Sequence, residues 1–159
     1  DLEICPFAIS HDAAEPVAYR IRNGSKSMAV ATDMGCYNDY IVEHLKGVNG
    51  ILLEANHDVN MLQVGTYPYP LKQRILGRLG HLSNDNAGRL LCEILHDDLK
   101  SIVLGHLSRE NNYEALAYAT VCAETLNHTG GNYEENNHYR GRTGYSGHYC
   151  QGLRVPGGE

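Results

Sequence analysis

The sequence predicts an α/β layered domain with a mixed sheet, and three observations carry the prediction. Two short apolar runs flank Asn23-Gly24, a hairpin turn signal. Further on, continuous apolar runs at 50–54 (GILLE) and 101–105 (SIVLG) read as strands buried on both faces. Between and after them, apolar residues recur at helical spacing, so strand pairs give way to an alternating βαβα order.

The elements follow in chain order. Residues 2–9 and 17–22 read as strands, and 17–22 pairs with a strand over 27–32 that ends at Asp33. A helix covers 38–47, with Asn38 or Asp39 able to cap it and Ile41, Val42 and Leu45 on one face. The strand at 50–54 ends on Glu54. Residues 57–71 read as irregular, held by Pro68 and Pro70, before a short helix at 71–78. The next helix follows Ser83 or Asn84, with Ala87, Leu90, Leu91, Ile94 and Leu95 forming a stripe. The strand at 101–105 stops at His106, and a helix over 111–126 turns Leu116, Ala119, Ala123 and Leu126 inward. Residues 127–159 are rich in Gly, Asn, Tyr and His and read as a disordered or non-native tail. The loosely spaced His128, His138 and His148 in it make a weak case for metal. The domain is therefore expected over 1–126.

The bulk composition narrows the functions. Net charge is −6, which argues against a broad nucleic-acid surface while leaving room for a local basic rim. No apolar run approaches the ~18 residues of a membrane span, and no leader opens the chain, so a cytoplasmic protein without membrane association is the expectation. The start at Asp1 reads as a fragment or a trimmed product. The five cysteines have no C-x-x-C spacing and read as buried free thiols in a reducing compartment. No G-x-S-x-G elbow supports a serine nucleophile.

The chemistry-bearing residues lie where strands stop or helices start: His11, Asp33, Glu54 with His57 and Asp58, His81, and His106 with Ser108. Ligands of open α/β sheets collect beyond the C-terminal ends of strands, and Asp33, Glu54 and His106 stand at such ends. Imidazole and carboxylate groups suit zinc, manganese and iron alike. Each residue also has a plain reading. Asp33 before Gly35 fits a turn, Glu54 a surface carboxylate, and His81 and His106 capping positions beside Ser83 and Ser108.

Four segments tie the chain to a known family. They are PFAISHDAAEPVAYRIRNGSKSMAVATDMG (6–35), LLEANHDVNML (52–62), YPYPLKQRILGRLGHLSNDNAGRLL (67–91) and IVLGHLSRENN (102–112). Together they resemble the C-terminal half of the YycJ/WalJ-like branch of the metallo-β-lactamase-fold hydrolases. The resemblance implies a partial αββα sandwich and a metal-dependent DNA exonuclease using two divalent ions. It implies His11, Asp33 and His106 as metal ligands, with Asp33 bridging. It also implies His81 as general acid for the leaving group and Glu54 as the residue that orients it. His57 and Asp58 are expected to line the site, and Ser108 and Arg109 to meet a phosphate. Lys72, Arg74 and Arg78 are further phosphate candidates, with ordinary solvated charge as the competing reading.

The H-x-H-x-D-H signature of that fold does not occur in these 159 residues. The expectation is weak or partial metal binding by this chain alone, completed by a homodimer or a complementing N-terminal half. Two other functions stay open: hydrolysis of a small ester, thioester or lactam, and an inactive half with no activity of its own. A basic groove at the metals would favour DNA, and a narrow apolar pocket a small molecule.

Overall fold

A computed structural model of the protein describes the backbone of residues 1–129 and 151–153, and side chains up to residue 127. The first three strands, β1 (Leu2–Ala8), β2 (Val17–Asn23) and β3 (Lys26–Ala31), run antiparallel in succession. Asn23 pairs with Lys26, so Gly24 and Ser25 form the two-residue turn between β2 and β3. Gly24 has φ 58°, which glycine adopts without steric cost.

The chain then crosses over twice in parallel. Helix α1 (Asp39–Leu45) connects β3 to β4 (Gly50–Glu54). Helices α2 (Val59–Val64), α3 (Tyr69–Leu76) and α4 (Asn84–Ile94) connect β4 to β5 (Ser101–Gly105). Helix α5 (Glu114–Thr129) follows, and β6 (Gln151–Leu153) returns antiparallel to β5. The strand order is β1-β2-β3-β4-β5-β6. Because β1 and β3 point the same way, the ends of β1, β3, β4 and β5 all open on one edge of the sheet.

One sheet face carries the core. Phe7, Ala18, Ala29, Ala31, Ile51, Leu53, Ile102 and Leu104 are buried there with Ile41, Val42 and Leu45 of α1 and Ala87, Leu90, Leu91 and Ile94 of α4. Burial of these aliphatic groups is the main driving force for the fold. The opposite face is apolar as well, yet Leu2, Ile4, Val17, Tyr19 and Met28 on it are exposed.

Four expectations need correction. The 57–71 stretch is not irregular throughout: Asp58 caps α2, its carboxylate accepting from the backbone N–H of Met61 at 2.8 Å. The inward face of α5 is Ala117 and Val121, while Ala119 and Ala123 are exposed. Position 126 lies inside α5, and residues 151–153 form a strand. The remainder of the 127–159 reading, with the side chains of its histidines, lies outside the described residues. Cys5, Cys36, Cys92 and Cys122 are free thiols but half-buried rather than buried. Of the two possible caps for α4, Ser83 takes the role, accepting from Asn86.

Candidate metal centre

The site forms at the shared strand edge, where three adjacent parallel strands end. Asp33 follows β3, Glu54 closes β4 and His106 follows β5. Glu54 pairs with Gly105 in register, which brings His106 beside it. Asp33 and His106 adopt φ 58° and 56°, the left-handed region that side chains other than glycine rarely enter. Such strain persists only where surrounding contacts enforce it, and it gathers at functional sites.

Glu54 is the organising group. Its side chain is fully buried. Oε1 accepts from Nδ1 of His106 at 2.7 Å and from Nδ1 of His81 at 2.8 Å. Oε2 accepts from the backbone N–H of Met34 at 2.7 Å and of Leu82 at 3.3 Å. Burial opposes its ionisation, but the bonds donated by His106, His81 and Met34 together win and hold the carboxyl below its usual pKa. The same contact with Glu54 raises the pKa of His106, against the effect of burial. An ionised acceptor fixes the proton of both rings on Nδ1, so that Nε2 is the unprotonated nitrogen of each neutral ring.

His11 is fixed in the same sense by a different partner. Its Nδ1 lies 3.0 Å from the carbonyl of Gly80, leaving Nε2 to face the site. Oδ1 of Asp33 lies 3.8 Å from Nε2 of His11 and 3.6 Å from Nε2 of His106. Bonds of about 2.0–2.2 Å to one ion put neighbouring ligand atoms roughly 3–4 Å apart, so Asp33 is spaced from each of the two imidazoles as ligands of one divalent cation would be. Asp33, Glu54, His81 and His106 also present ligand-type atoms within 4.8 Å of one another. Glu54 already accepts four hydrogen bonds, so it acts on the rings and not as a free ligand.

Loop packing holds His11 and His81 in place. The N–H of Gly35 donates to the carbonyl of Ser10, and that of Asp12 to Leu79. A Cβ on Gly35 would sit 2.5 Å from the carbonyl oxygen of Arg78 and from the nitrogen of Gly80. A Cβ on Gly80 would collide with the carbonyls of Ile75 and Arg74. Only glycine at both positions permits this approach.

Other expected residues fall elsewhere. His57 is 1 % exposed, and among the described residues neither ring nitrogen has a hydrogen-bond partner. Burial lowers its pKa to about 4, against the opposing pull of Glu54. Its charge interactions are with Glu54, His81, Asp58 and Asp85, and the Asp58 carboxylate accepts the capping bond from Met61. The hydroxyl of Ser108 accepts from the N–H of Asn111, a local turn contact. Lys72 donates to the carbonyls of Gln63 and Gly65, and Arg74 pairs with Asp12. Arg78 and Arg109 are exposed.

Sequence reasoning missed the buried asparagines that carry the site. Asn56 donates to the carbonyl of His106 at 2.8 Å, and its own carbonyl accepts from Ser108 at 2.7 Å. Its N–H donates to the carbonyl of Leu82, tying the His81 loop to the same point. Asn112 donates to the carbonyls of Ala55 and Asn56 and exchanges bonds with Asn84. The signal available was their clustering in EANHD and RENN beside the site residues.

Comparison with known proteins accords with this geometry. The chain is 41% identical over 121 residues to the exodeoxyribonuclease YycJ of Bacillus anthracis, covering 76% of this chain and 46% of that protein. It is 44% identical over 121 residues to the exodeoxyribonuclease WalJ of Streptococcus pneumoniae strain D39, covering 76% of this chain and 45% of that protein. Among solved structures, YhfI of Bacillus subtilis, a metallo-β-lactamase fold protein, superposes with a TM-score of 0.53 at 19% identity. That match covers 79% of this chain and 43% of YhfI. Zinc-bound PqqB of Methylobacterium extorquens gives 0.54 at 20% identity, over 78% of this chain and 46% of PqqB.

The chain is a relative of YycJ and WalJ with a metallo-β-lactamase fold.

It spans about half the length of the curated relatives it matches. No family model matches it. In this YycJ/WalJ relative His11 and His106 each lie within 4 Å of Asp33, and Glu54 contacts His81 as well as His106. Among the described residues, no helix is long and apolar enough to cross a membrane.

Proposed function

We propose that this chain forms part of a metal-dependent phosphodiesterase site that acts on DNA as an exonuclease. The observation that carries the reading is the double use of Glu54. One buried carboxylate oxygen orients both His106, facing Asp33, and His81, poised beside it. His11 and Asp33 would help hold one cation, and Asp33 and His106 a second; zinc, manganese and iron all suit this set. A cation bound there supplies Lewis acidity to the phosphoryl oxygens.

The residues of the chain do the rest. Glu54 keeps Nδ1–H of His81 and presents its Nε2 outward. In its doubly protonated form His81 gives the Nε2 proton to the departing oxygen. Asn56 fixes the backbone at His106, so the ligand cannot swing. We assign the remaining ligands to an H-x-H-x-D-H segment outside these 159 residues, in a complementing N-terminal half. The half-length match to the relatives and the apolar sheet face left exposed among the described residues support that assignment. A cytoplasmic location accords with the four free thiols among the described residues.

The test is elemental analysis after purification without chelator, then cleavage of 5′-labelled DNA. Both are run on this chain alone and mixed with an H-x-H-x-D-H-bearing half of a relative. Asp33→Ala should lose the metal. His81→Ala should keep it while turnover falls about 10²- to 10⁴-fold. A metal-loaded protein that cleaves esters and leaves phosphodiesters intact would replace this reading with small-molecule hydrolysis.

A further inference from the structure

A cleft of about 240 Å³ opens beside the metal centre, lined by Ala8, Ile9, Cys36, Tyr37, Tyr40 and Arg78 among others. Ser10, next to His11, also lines it, so one wall continues into the loop that carries a ligand. The opposite wall is α1. Drug-sized pockets run from roughly 300 to 1,000 Å³, so this one suits a single planar ring.

Its contents point to a ligand type. The ring of Tyr40 is held from one side: its centroid lies 4.3 Å from that of His44, which in turn stacks on Phe7 at 4.9 Å. The nitrogen Nδ1 of His44 also bonds the carbonyl of Tyr40 at 2.7 Å. Tyr40 is nevertheless 49% exposed. This is a pre-ordered aromatic platform with open surface, and every base has a π-face that such a ring can stack. Arg78 is the one charged residue lining the cleft. Among the described residues its guanidinium makes no hydrogen bond or ion pair, whereas Lys72 and Arg74 are committed elsewhere. The net charge of −6 makes non-specific anion binding weak, so an anion held here needs a local site.

We propose that this cleft binds the terminal nucleotide of the DNA strand, Tyr40 stacking its base and Arg78 contacting its phosphate. The proposal rests on the phosphodiesterase reading and adds where the strand end is seated. It assigns Tyr40 and Arg78 to substrate positioning and leaves proton transfer to His81.

The probe is deoxyadenosine 5′-monophosphate, titrated onto the chain in EDTA and followed by isothermal calorimetry and tyrosine NMR shifts. Deoxyribose 5-phosphate serves as the base-free control. The nucleotide should bind more tightly than the control and shift Tyr40. Tyr40→Ala should weaken nucleotide binding by about 5- to 150-fold and leave the control unchanged. Arg78→Ala should weaken both ligands, and Arg22→Ala, on the exposed part of β2, neither. Equal affinity for the two ligands, or no effect of Tyr40→Ala, would overturn the base platform. Metal-dependent cleavage of bis(p-nitrophenyl) phosphate is measured in parallel, on the chain mixed with an H-x-H-x-D-H-bearing half of a relative. If that cleavage persists while the nucleotide fails to bind, the subsite is wrong and the phosphodiesterase reading stands. The reverse pattern sinks the phosphodiesterase reading and keeps the subsite.

Discussion

At the scale of single residues, the chemistry of the site depends on which atoms are already engaged. Glu54 has four donors on two oxygens and no exposed surface. Glu54→Gln keeps its shape but puts a donor where an acceptor was, opposite N–H groups that then lose their partner. The expected cost is about 3 kcal/mol of stability, with metal affinity down about 10- to 100-fold. Urea denaturation and competition with a chromogenic chelator measure the two effects; an unchanged affinity would show that the imidazoles orient themselves. His57 presents the opposite case, a buried ring with neither nitrogen partnered among the described residues. Its pKa is lowered to about 4 by burial, against about 6.5 in an unfolded chain. The unfolded state therefore binds the proton first as pH falls. The stability that neutral His57 permits is intact above about pH 6.5 and declines toward pH 4. His57→Phe should flatten that part of the pH–stability curve, measured by urea midpoints at half-unit steps. An unaltered slope would assign acid sensitivity to other groups.

At the scale of elements, the loops that carry His11 and His81 are set by backbone approach, not side-chain packing. Gly80→Ala would drive a methyl into the carbonyls at the end of α3, and one of the two must move. We expect a loss of at least about 2 kcal/mol and an upfield-to-broadened change in the His11 and His81 imidazole NMR signals. If the signals and midpoint stay put, the loop is more plastic than its contacts imply. The same local physics explains what could be read in advance. Asp33, Glu54 and His106 were legible because each interrupts an apolar run. Helix α2 was not: it has six residues and buries only Leu62, so no period can register. The face of α5 was misread because alanines at 115, 117, 119 and 123 allow several stripes, and packing against α4 decides among them. Strand β6 joins the sheet through backbone pairing of three residues, which needs no hydrophobic pattern. The Asn84–Asn112 exchange joins positions 28 apart and becomes visible only when the helices are assembled.

At the scale of the whole molecule, the sheet is covered on one side only among the described residues. Ile4, Ile21 and Met28 stand in register across β1, β2 and β3, and Tyr19 stands opposite Val30 in the next row. Ile4, Tyr19 and Met28 are 56%, 41% and 43% exposed. A contiguous apolar surface of this kind seeks a partner. The chain alone should self-associate in the micromolar range, and Ile4→Lys with Met28→Lys should return it to monomer without loss of helical circular dichroism. Sedimentation velocity over a concentration series checks this, and a monomeric wild-type chain at the highest concentration would refute it. The homodimer and the complementing half are thus two occupants of one surface, and each would exclude the other.

The left-handed backbone at Asp33 has a consequence for how this protein would change under selection. Its side chain is 45% exposed and faces imidazoles at 3.6–3.8 Å, with little packing to lose. Glycine removes the steric cost of φ 58° there, worth about 1 kcal/mol, at the expense of the metal. A library selected for folding alone should therefore drift to glycine at position 33, and one selected for metal-dependent activity should keep aspartate. Position 54 behaves differently, because losing Glu54 harms folding and function together. The divergence between the two selections would trace the boundary between what this chain needs in order to fold and what it keeps in order to act.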